Sequence, residues 1–89
     1  MNEDTAKMLL STEFHGEKII PSDSFTLNGS EYILLKILEN EDGSITLKIL
    51  GISGKNRGEI YLVPKSILEE WEGDEESLEE EMGKYKREV

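Results

Sequence analysis

The chain has 89 residues, with 20 acidic and 10 basic side chains, one histidine and no cysteine, which gives a formal net charge of −10. The length suits one domain, and the charge argues against non-specific binding to nucleic acid or to anionic membranes, both of which require lysine and arginine. Without cysteine there are no disulfides, thiolate metal sites or cysteine nucleophile. With no signal peptide pattern and no apolar run of about 20 residues, we expect a cytoplasmic protein.

Acidic charge is concentrated toward the C-terminal end of the sequence. Residues 1–68 carry 10 acidic and 7 basic side chains, a net charge of −3, whereas residues 69–89 carry 10 and 3, a net charge of −7. This shift predicts a folded body followed by an acidic helix. We expect one folded unit made of an N-terminal helical segment (1–15), a small β-barrel (16–65) and an acidic amphipathic helix (66–89).

The first residues have the pattern of a short helix over residues 2–11. Asn2 is a suitable N-cap, and Glu3 and Asp4 would lie in the first turn, where acidic groups favour the helix dipole. One side of this helix would be apolar, and its residues are Ala6, Leu9 and Leu10.

Five short strands are predicted next, at residues 17–20, 25–27, 32–38, 45–50 and 59–63. Asn28-Gly29 is a strong hairpin signal, because both positions tolerate positive φ. Alternation with period two predicts an inward face formed by Ile33, Leu35, Ile37, Ile45, Leu47, Ile49, Ile60 and Leu62. The opposite face is also apolar, with Tyr32, Leu34, Leu38, Leu50, Ile52, Tyr61 and Val63, so we expect a terminal helix, or else a partner, to cover it.

Residues 58–68 combine a glycine-led strand, Pro64 and a short helical turn. In this respect the chain resembles small SH3-like and Tudor-like barrels, over residues 16–68. The resemblance implies a mainly β fold with some α-helix: a five-stranded SH3-like barrel with a short N-terminal helix and an acidic C-terminal helix. The aromatic-rich loop of signalling SH3 domains is missing and the only tryptophan, Trp71, lies beyond the barrel, so no peptide-binding role follows.

The C-terminal segment has strong helix signals. Ser66 and Glu69 form a capping-box pattern that predicts a start near Ile67, while Gly73 is expected to end this piece and Asp74 to cap a second one. Apolar residues recur at helical spacing, at Leu68, Trp71, Leu78, Met82 and Tyr85. This stripe predicts either docking on the barrel or a two-chain coiled coil in a homodimer.

The sequence offers little for catalysis. His15 stands alone at a predicted junction, and the segment 51–56 departs from a phosphate-binding loop, which requires four residues between its glycines. Adjacent solvated carboxylates provide neither a cleft nor a raised pKa. We expect no enzyme activity, catalytic residue, cofactor or dedicated metal site. Direct nucleic-acid binding by Lys36, Lys48, Lys55, Arg57 and Lys65, with stacking on Tyr32 and Tyr61, is disfavoured by the net charge.

The acidic run suggests a protein-binding role. Its carboxylates, held on a helix, could imitate a nucleic-acid backbone and bind a basic protein; they are Glu69, Glu70, Glu72, Asp74, Glu75, Glu76, Glu79, Glu80 and Glu81. In size and acidity the chain is similar to small phage proteins that inhibit host nucleic-acid enzymes. The alternatives are a solvated helix face without function, and a structural or regulatory module that forms homo-oligomers or serves as a subunit of a larger complex.

Overall fold

The computed structural model describes residues 11–87, which form six strands, one 3-10 turn and two helices. These are β1 (Thr12–Phe14), β2 (Glu17–Ile19), β3 (Ser24–Leu27), β4 (Ser30–Glu39), β5 (Ile45–Gly51), the turn Gly54–Asn56, β6 (Ile60–Pro64), α1 (Lys65–Glu70) and α2 (Glu75–Gly83). The described chain is therefore mainly β with α-helix, as the sequence predicts. Residues 2–10 of the predicted N-terminal helix lie outside the described residues.

The hairpin between β3 and β4 confirms the Asn-Gly prediction. Asn28 and Gly29 have φ values of 50° and 80°, and Leu27 pairs with Ser30 across the turn. Two successive residues with positive φ match the twist of the flanking strands, which is why short hairpins favour Asn-Gly. This turn also places the Asn28 side chain beside α2.

The strands do not form the predicted closed barrel. All five predicted strands are present, but β1 and β2 pair only with each other, and β3 to β6 form a separate four-stranded antiparallel sheet. The outer edge of β6 is occupied by the residues after α2: Leu62 N–H donates to the Tyr85 carbonyl at 3.0 Å, and Arg87 N–H donates to the Ile60 carbonyl at 2.7 Å. That edge is thus unavailable to β2, the first strand of the predicted barrel. Strand β1 lies within residues 1–15, for which the sequence predicts a helical segment instead.

The buried face of the four-stranded sheet differs in part from the predicted inward face. Strand β4 contains a bulge between Leu34 and Lys36, so the alternation of its side chains changes phase there. Before the bulge Leu34 is buried and Ile33 is only half-buried. The predicted face of β6 is also wrong: its buried residues are Tyr61 and Val63, and Ile60 and Leu62 are half-buried. The inner face, which lies under both helices, comprises Phe25, Leu27, Tyr32, Leu34, Leu47, Ile49, Tyr61 and Val63.

The two helices begin in different ways. Helix α1 starts at Lys65, directly after β6, and no side chain caps it, so the capping box predicted for Ser66 and Glu69 does not form. Helix α2 has Asp74 as its N-cap, as predicted, and the Asp74 carboxylate accepts a 2.8 Å hydrogen bond from the Ser77 amide. Within residues 11–87, no helix has the length and apolarity needed to cross a membrane.

The core lies between the inner face of the sheet, the β1–β2 hairpin and the helices. The hairpin contributes Phe14 and Ile19, and the Phe14 ring packs against Phe25 with a centroid separation of 5.3 Å. The helices contribute Leu68, Leu78 and Met82. Burial of these side chains fixes the C-terminal segment on the sheet, because each large aliphatic side chain removed from water stabilises the fold by roughly 1.5–3 kcal/mol.

Candidate functional site: the acidic helices

The apolar stripe of the C-terminal segment packs within the chain. Leu68, Leu78 and Met82 are only 4%, 2% and 1% exposed, while Trp71 and Tyr85 are half-buried against the same core. The Trp71 indole N–H also donates to the Asp74 carbonyl at 3.1 Å, across the link between the helices. In this arrangement the three aliphatic side chains are not accessible to a second copy.

A buried carboxylate joins α2 to the sheet. Glu79 is 6% exposed, and the Tyr32 hydroxyl on β4 donates a 2.8 Å hydrogen bond to it. The Asn28 side-chain amide donates at 3.2 Å, and the Lys55 ammonium lies 3.0 Å away. Asn56 completes the group by donating to the Tyr32 hydroxyl at 2.9 Å. We refer to these five residues as the Glu79 cluster.

The Glu79 cluster favours an ionised carboxylate. Burial alone would raise the pKa of Glu79, but hydrogen bonds from Lys55, Tyr32 and Asn28 outweigh it and hold this pKa below its ordinary value. Burial, reinforced by the nearby carboxylate, raises the pKa of Tyr32 well above its ordinary value, although the bond from Asn56 opposes this. Glu79 is therefore a charged structural residue rather than a candidate general acid or base.

A glycine on β5 allows the 3-10 turn to reach this cluster. Gly51 lies opposite Tyr32 on the inner face, and a Cβ atom at position 51 would overlap the Asn56 backbone carbonyl. The turn folds back over Gly51, and this brings Lys55 and Asn56 to Glu79 and Tyr32. The segment 51–56, which superficially resembles a phosphate loop, thus positions two members of the Glu79 cluster.

Other predicted partner-binding carboxylates also have contacts inside the chain. Glu69 accepts from the Thr12 hydroxyl at 3.1 Å and pairs with Lys65 at 3.0 Å, and Glu81 pairs with Lys84 at 3.2 Å. Glu75 accepts a 2.8 Å hydrogen bond from the Asn28 backbone N–H, and its other oxygen lies 3.8 Å from His15 Nε2. Together with Asp74 and Glu79, five of the nine predicted residues have contacts inside the chain.

The remaining four carboxylates, Glu70, Glu72, Glu76 and Glu80, form what we call the acidic surface. All four side chains are exposed, and none has a hydrogen bond or ion pair with another residue of the described range 11–87. Glu70 lies on α1, Glu72 on the link, and Glu76 and Glu80 on α2, one helical turn or about 6 Å apart along the axis. Both helices are anchored by buried side chains, so the backbone positions of Glu70, Glu76 and Glu80 are fixed relative to the sheet.

Sequence reasoning missed the partners of Glu79. The signal for its burial was present, because Glu75, Glu79 and Met82 recur at intervals of four and three and therefore share one face of a helix. Nothing local indicated that Asn28, Lys55 and Asn56 would converge there, since they come from a hairpin and a 3-10 turn that are distant in sequence.

An open cleft of about 430 Å³ lies beside α1, between that helix and the turn joining β4 to β5. Its lining includes Asn40, Thr46, Pro64 and Glu69. The Asn40 amide is already used in hydrogen bonds to Ser44 and Thr46, both of 2.9 Å. Within residues 11–87, no three acidic or histidine side chains converge as metal ligands would. The acidic surface is thus the feature that most clearly suggests a function.

Comparison of this chain with protein families, with curated proteins and with solved structures found no match.

Proposed function

We propose that the chain is a non-enzymatic inhibitor or adaptor whose acidic surface binds a basic, nucleic-acid-binding protein. The observation that carries this proposal is that the nine carboxylates fall into two groups, one with contacts inside the chain and one without. Five of them make contacts inside the chain, and the contacts of Glu69, Glu75 and Glu79 reach elements outside the helices. The other four face solvent without a partner among the described residues. A helix that merely needs a soluble face has no requirement for fixed, unpaired charges of one sign.

Rigid anchoring supports recognition rather than simple solubility. Charges on a flexible tail lose backbone and side-chain conformational entropy when they bind, whereas charges on anchored helices lose only side-chain entropy. Negative groups on anchored helices create an electrostatic field similar to that of a phosphate backbone. A basic groove on another protein would be attracted by this field, which would accelerate association. The expected interaction is fast and sensitive to salt, because exposed charges are screened over roughly 8–10 Å at physiological ionic strength.

The test uses the four exposed carboxylates. We compare the full chain with a variant carrying Glu70→Gln, Glu72→Gln, Glu76→Gln and Glu80→Gln, each immobilised and exposed to the DNA-cellulose-binding proteins of a bacterial lysate. The unmodified chain should retain a basic protein that is released by duplex DNA and by about 0.5 M salt. The quadruple variant should retain much less of it.

A matched control separates the effect of where the carboxylates lie from the effect of the total charge of the chain. The exposed carboxylates Glu13, Glu17, Glu39 and Glu41 lie on strands or on the turn after β4 rather than on either helix, and changing all four to Gln alters the net charge equally. This control should retain the same protein as the unmodified chain. Equal retention by both quadruple variants and the unmodified chain would contradict the proposal, as would capture that duplex DNA does not reverse.

A further inference from the structure

The chain has four asparagines, and only Asn28 is followed by glycine. Asparagine before glycine is the pair most prone to deamidation, because the next backbone nitrogen can attack the side-chain carbonyl carbon without hindrance from a side chain of its own. Asn28 and Gly29 form the exposed tip of the hairpin between β3 and β4. Apart from its chain neighbours, a Cβ atom at Gly29 would meet no described atom within 4 Å, so this backbone is open to water.

Deamidation would replace the Asn28 amide by a carboxylate in two steps. In the first, the lone pair of the Gly29 nitrogen attacks Asn28 Cγ and forms an N–Cγ bond. The Gly29 N–H proton passes to water, the Cγ–Nδ2 bond breaks, and Nδ2 takes a proton from water and leaves as ammonia. In the second, one water opens the succinimide ring. Opening at Cγ gives aspartate, whereas opening at the backbone carbonyl carbon gives isoaspartate, whose main chain runs through Cβ and Cγ.

Helix α2 holds two polar groups of Asn28. The Nδ2 atom donates a 3.2 Å hydrogen bond to Glu79 Oε1, and the backbone N–H donates a 2.8 Å hydrogen bond to Glu75 Oε1. An amide that donates to a carboxylate is a poorer electrophile, because electron density moves toward its carbonyl carbon. Loss of Nδ2 as ammonia also costs the contact with Glu79. The reaction is therefore favoured by local opening that separates α2 from the hairpin.

The chain has one Asp-Gly pair, Asp42-Gly43, which could also form a succinimide, and the structure disfavours reaction there. The Asp42 carboxylate accepts hydrogen bonds from the Ser44 hydroxyl at 2.6 Å and from the Ser44 N–H at 2.9 Å. These bonds lower the pKa of Asp42 below its ordinary value and keep the group ionised. An ionised carboxylate resists attack by a nucleophile. Asn28 is thus the favoured position for this chemistry.

We propose that Asn28 is a deamidation site whose reaction is restrained by the docking of α2 and whose product releases that helix. The new carboxylate takes the place of the Nδ2 donor, 3.2 Å from a Glu79 oxygen. Lys55 can neutralise one of the two carboxylates but not both, and Glu79 is buried, so solvent screens their repulsion poorly. Since Glu76 and Glu80 lie on α2, the modification removes an anchor from half of the acidic surface. The chemistry at Asn28 does not depend on what that surface binds.

The rate of conversion tests the restraint by α2. The unmodified chain, Glu79→Gln and Glu80→Gln are incubated at mildly alkaline pH, and their asparagine-containing peptides are followed by mass spectrometry and by isoaspartate-specific methylation. Conversion should be fastest at Asn28. It should be about five-fold or more faster in Glu79→Gln than in the other two chains. Equal rates in the three chains would overturn the proposal, as would faster conversion at Asn40 or Asn56.

The effect of the product is tested with Asn28→Asp. Hydrogen exchange at the amides of α2 should accelerate by about five-fold or more, while exchange in β4 and β5 stays unchanged. Asn40→Asp is the matched control, because it alters the net charge equally on the turn after β4 and should leave exchange in α2 unchanged. Equal exchange in α2 for these two variants would overturn the release of the helix, and this comparison stands even where Glu79→Gln fails to fold.

A double variant identifies the cause of the release. Glu79→Gln removes the charge that repels the new carboxylate, so adding Asn28→Asp to it should accelerate exchange in α2 much less than adding Asn28→Asp to the unmodified chain. Equal acceleration in the two backgrounds would overturn the repulsion between positions 28 and 79.

Discussion

The hydroxyl of Tyr32 donates a 2.8 Å hydrogen bond to the carboxylate of Glu79, across 47 residues of sequence. This contact joins β4, in the middle of the main sheet, to the helix that carries part of the acidic surface. Glu79 is buried, whereas its neighbour Glu80 is exposed, although the two lie side by side in an almost uniformly acidic run. One residue of the run thus holds the helix, and the next faces solvent.

Replacing Glu79 should weaken the fold. Glu79→Gln removes the charge that pairs with Lys55 and puts an amide donor where two donors converge, so the free energy of unfolding should fall by about 1–3 kcal/mol. Urea denaturation followed by the fluorescence of Trp71 measures the change. Glu80→Gln is the control, and it should leave the stability unchanged. Equal losses in the two variants would mean that the Glu79 cluster does not stabilise the docking of α2.

The stabilisation by Glu79 should depend on pH in a defined direction. The folded pKa of Glu79 lies below its unfolded value, so its contribution is fully present above the unfolded pKa of about 4.3 and is lost as the pH falls through the lower folded pKa. The difference in unfolding free energy between the unmodified chain and Glu79→Gln should therefore shrink below about pH 4.3. Urea titrations between about pH 7 and pH 3 test this, and a constant difference would contradict it.

Features specified by neighbouring residues were predictable from the sequence. The Asn28-Gly29 turn and the Asp74 cap depend on a few adjacent residues, and both form as expected. The buried face of β4 was predicted wrongly, because strict alternation over residues 32–38 assumes a regular strand. The bulge after Leu34 changes that alternation, and it depends on pairing with β5, which no local pattern reveals.

The open sheet was not predictable for a similar reason. Five strands with suitable turns are compatible with a closed barrel. In the structure β2 pairs with β1 instead, and residues 85–87 lie along the edge of β6 that closure would use. For the acidic run, composition indicated a charged helical surface but did not separate bonded from exposed carboxylates. That distinction depends on which side of α2 faces Tyr32, and so on the tertiary fold.

A methyl group at Gly51 should disturb the Glu79 cluster from a distance. In Gly51→Ala the new Cβ would overlap the Asn56 carbonyl, so the 3-10 turn must move away from Tyr32 and Glu79. We expect a loss of about 1–3 kcal/mol in unfolding free energy. In a double variant with Glu79→Gln the losses should be less than additive, because both changes act on the same contacts.

Gly83→Ala is the matched control for Gly51→Ala. A Cβ atom at position 83 would meet no atom within 4 Å, and Gly83 ends α2 without a positive φ. Alanine should stabilise this helix by up to about 1 kcal/mol, because it loses less backbone entropy than glycine on folding. Strictly additive losses for Gly51→Ala and Glu79→Gln would show that the turn and the carboxylate act independently.

Truncating Leu78 distinguishes packing within the chain from assembly between chains. Leu78 is 2% exposed in the core, so Leu78→Ala should lower the free energy of unfolding by about 2–5 kcal/mol through lost burial and the cavity left behind. Leu38→Ala, at a site that is 38% exposed, should cost much less. Because Leu78 packs against the sheet of its own chain, the thermal midpoint should not change with protein concentration in the unmodified chain or in Leu78→Ala. A midpoint that rises with concentration in the unmodified chain and not in Leu78→Ala would assign Leu78 to an interface between copies.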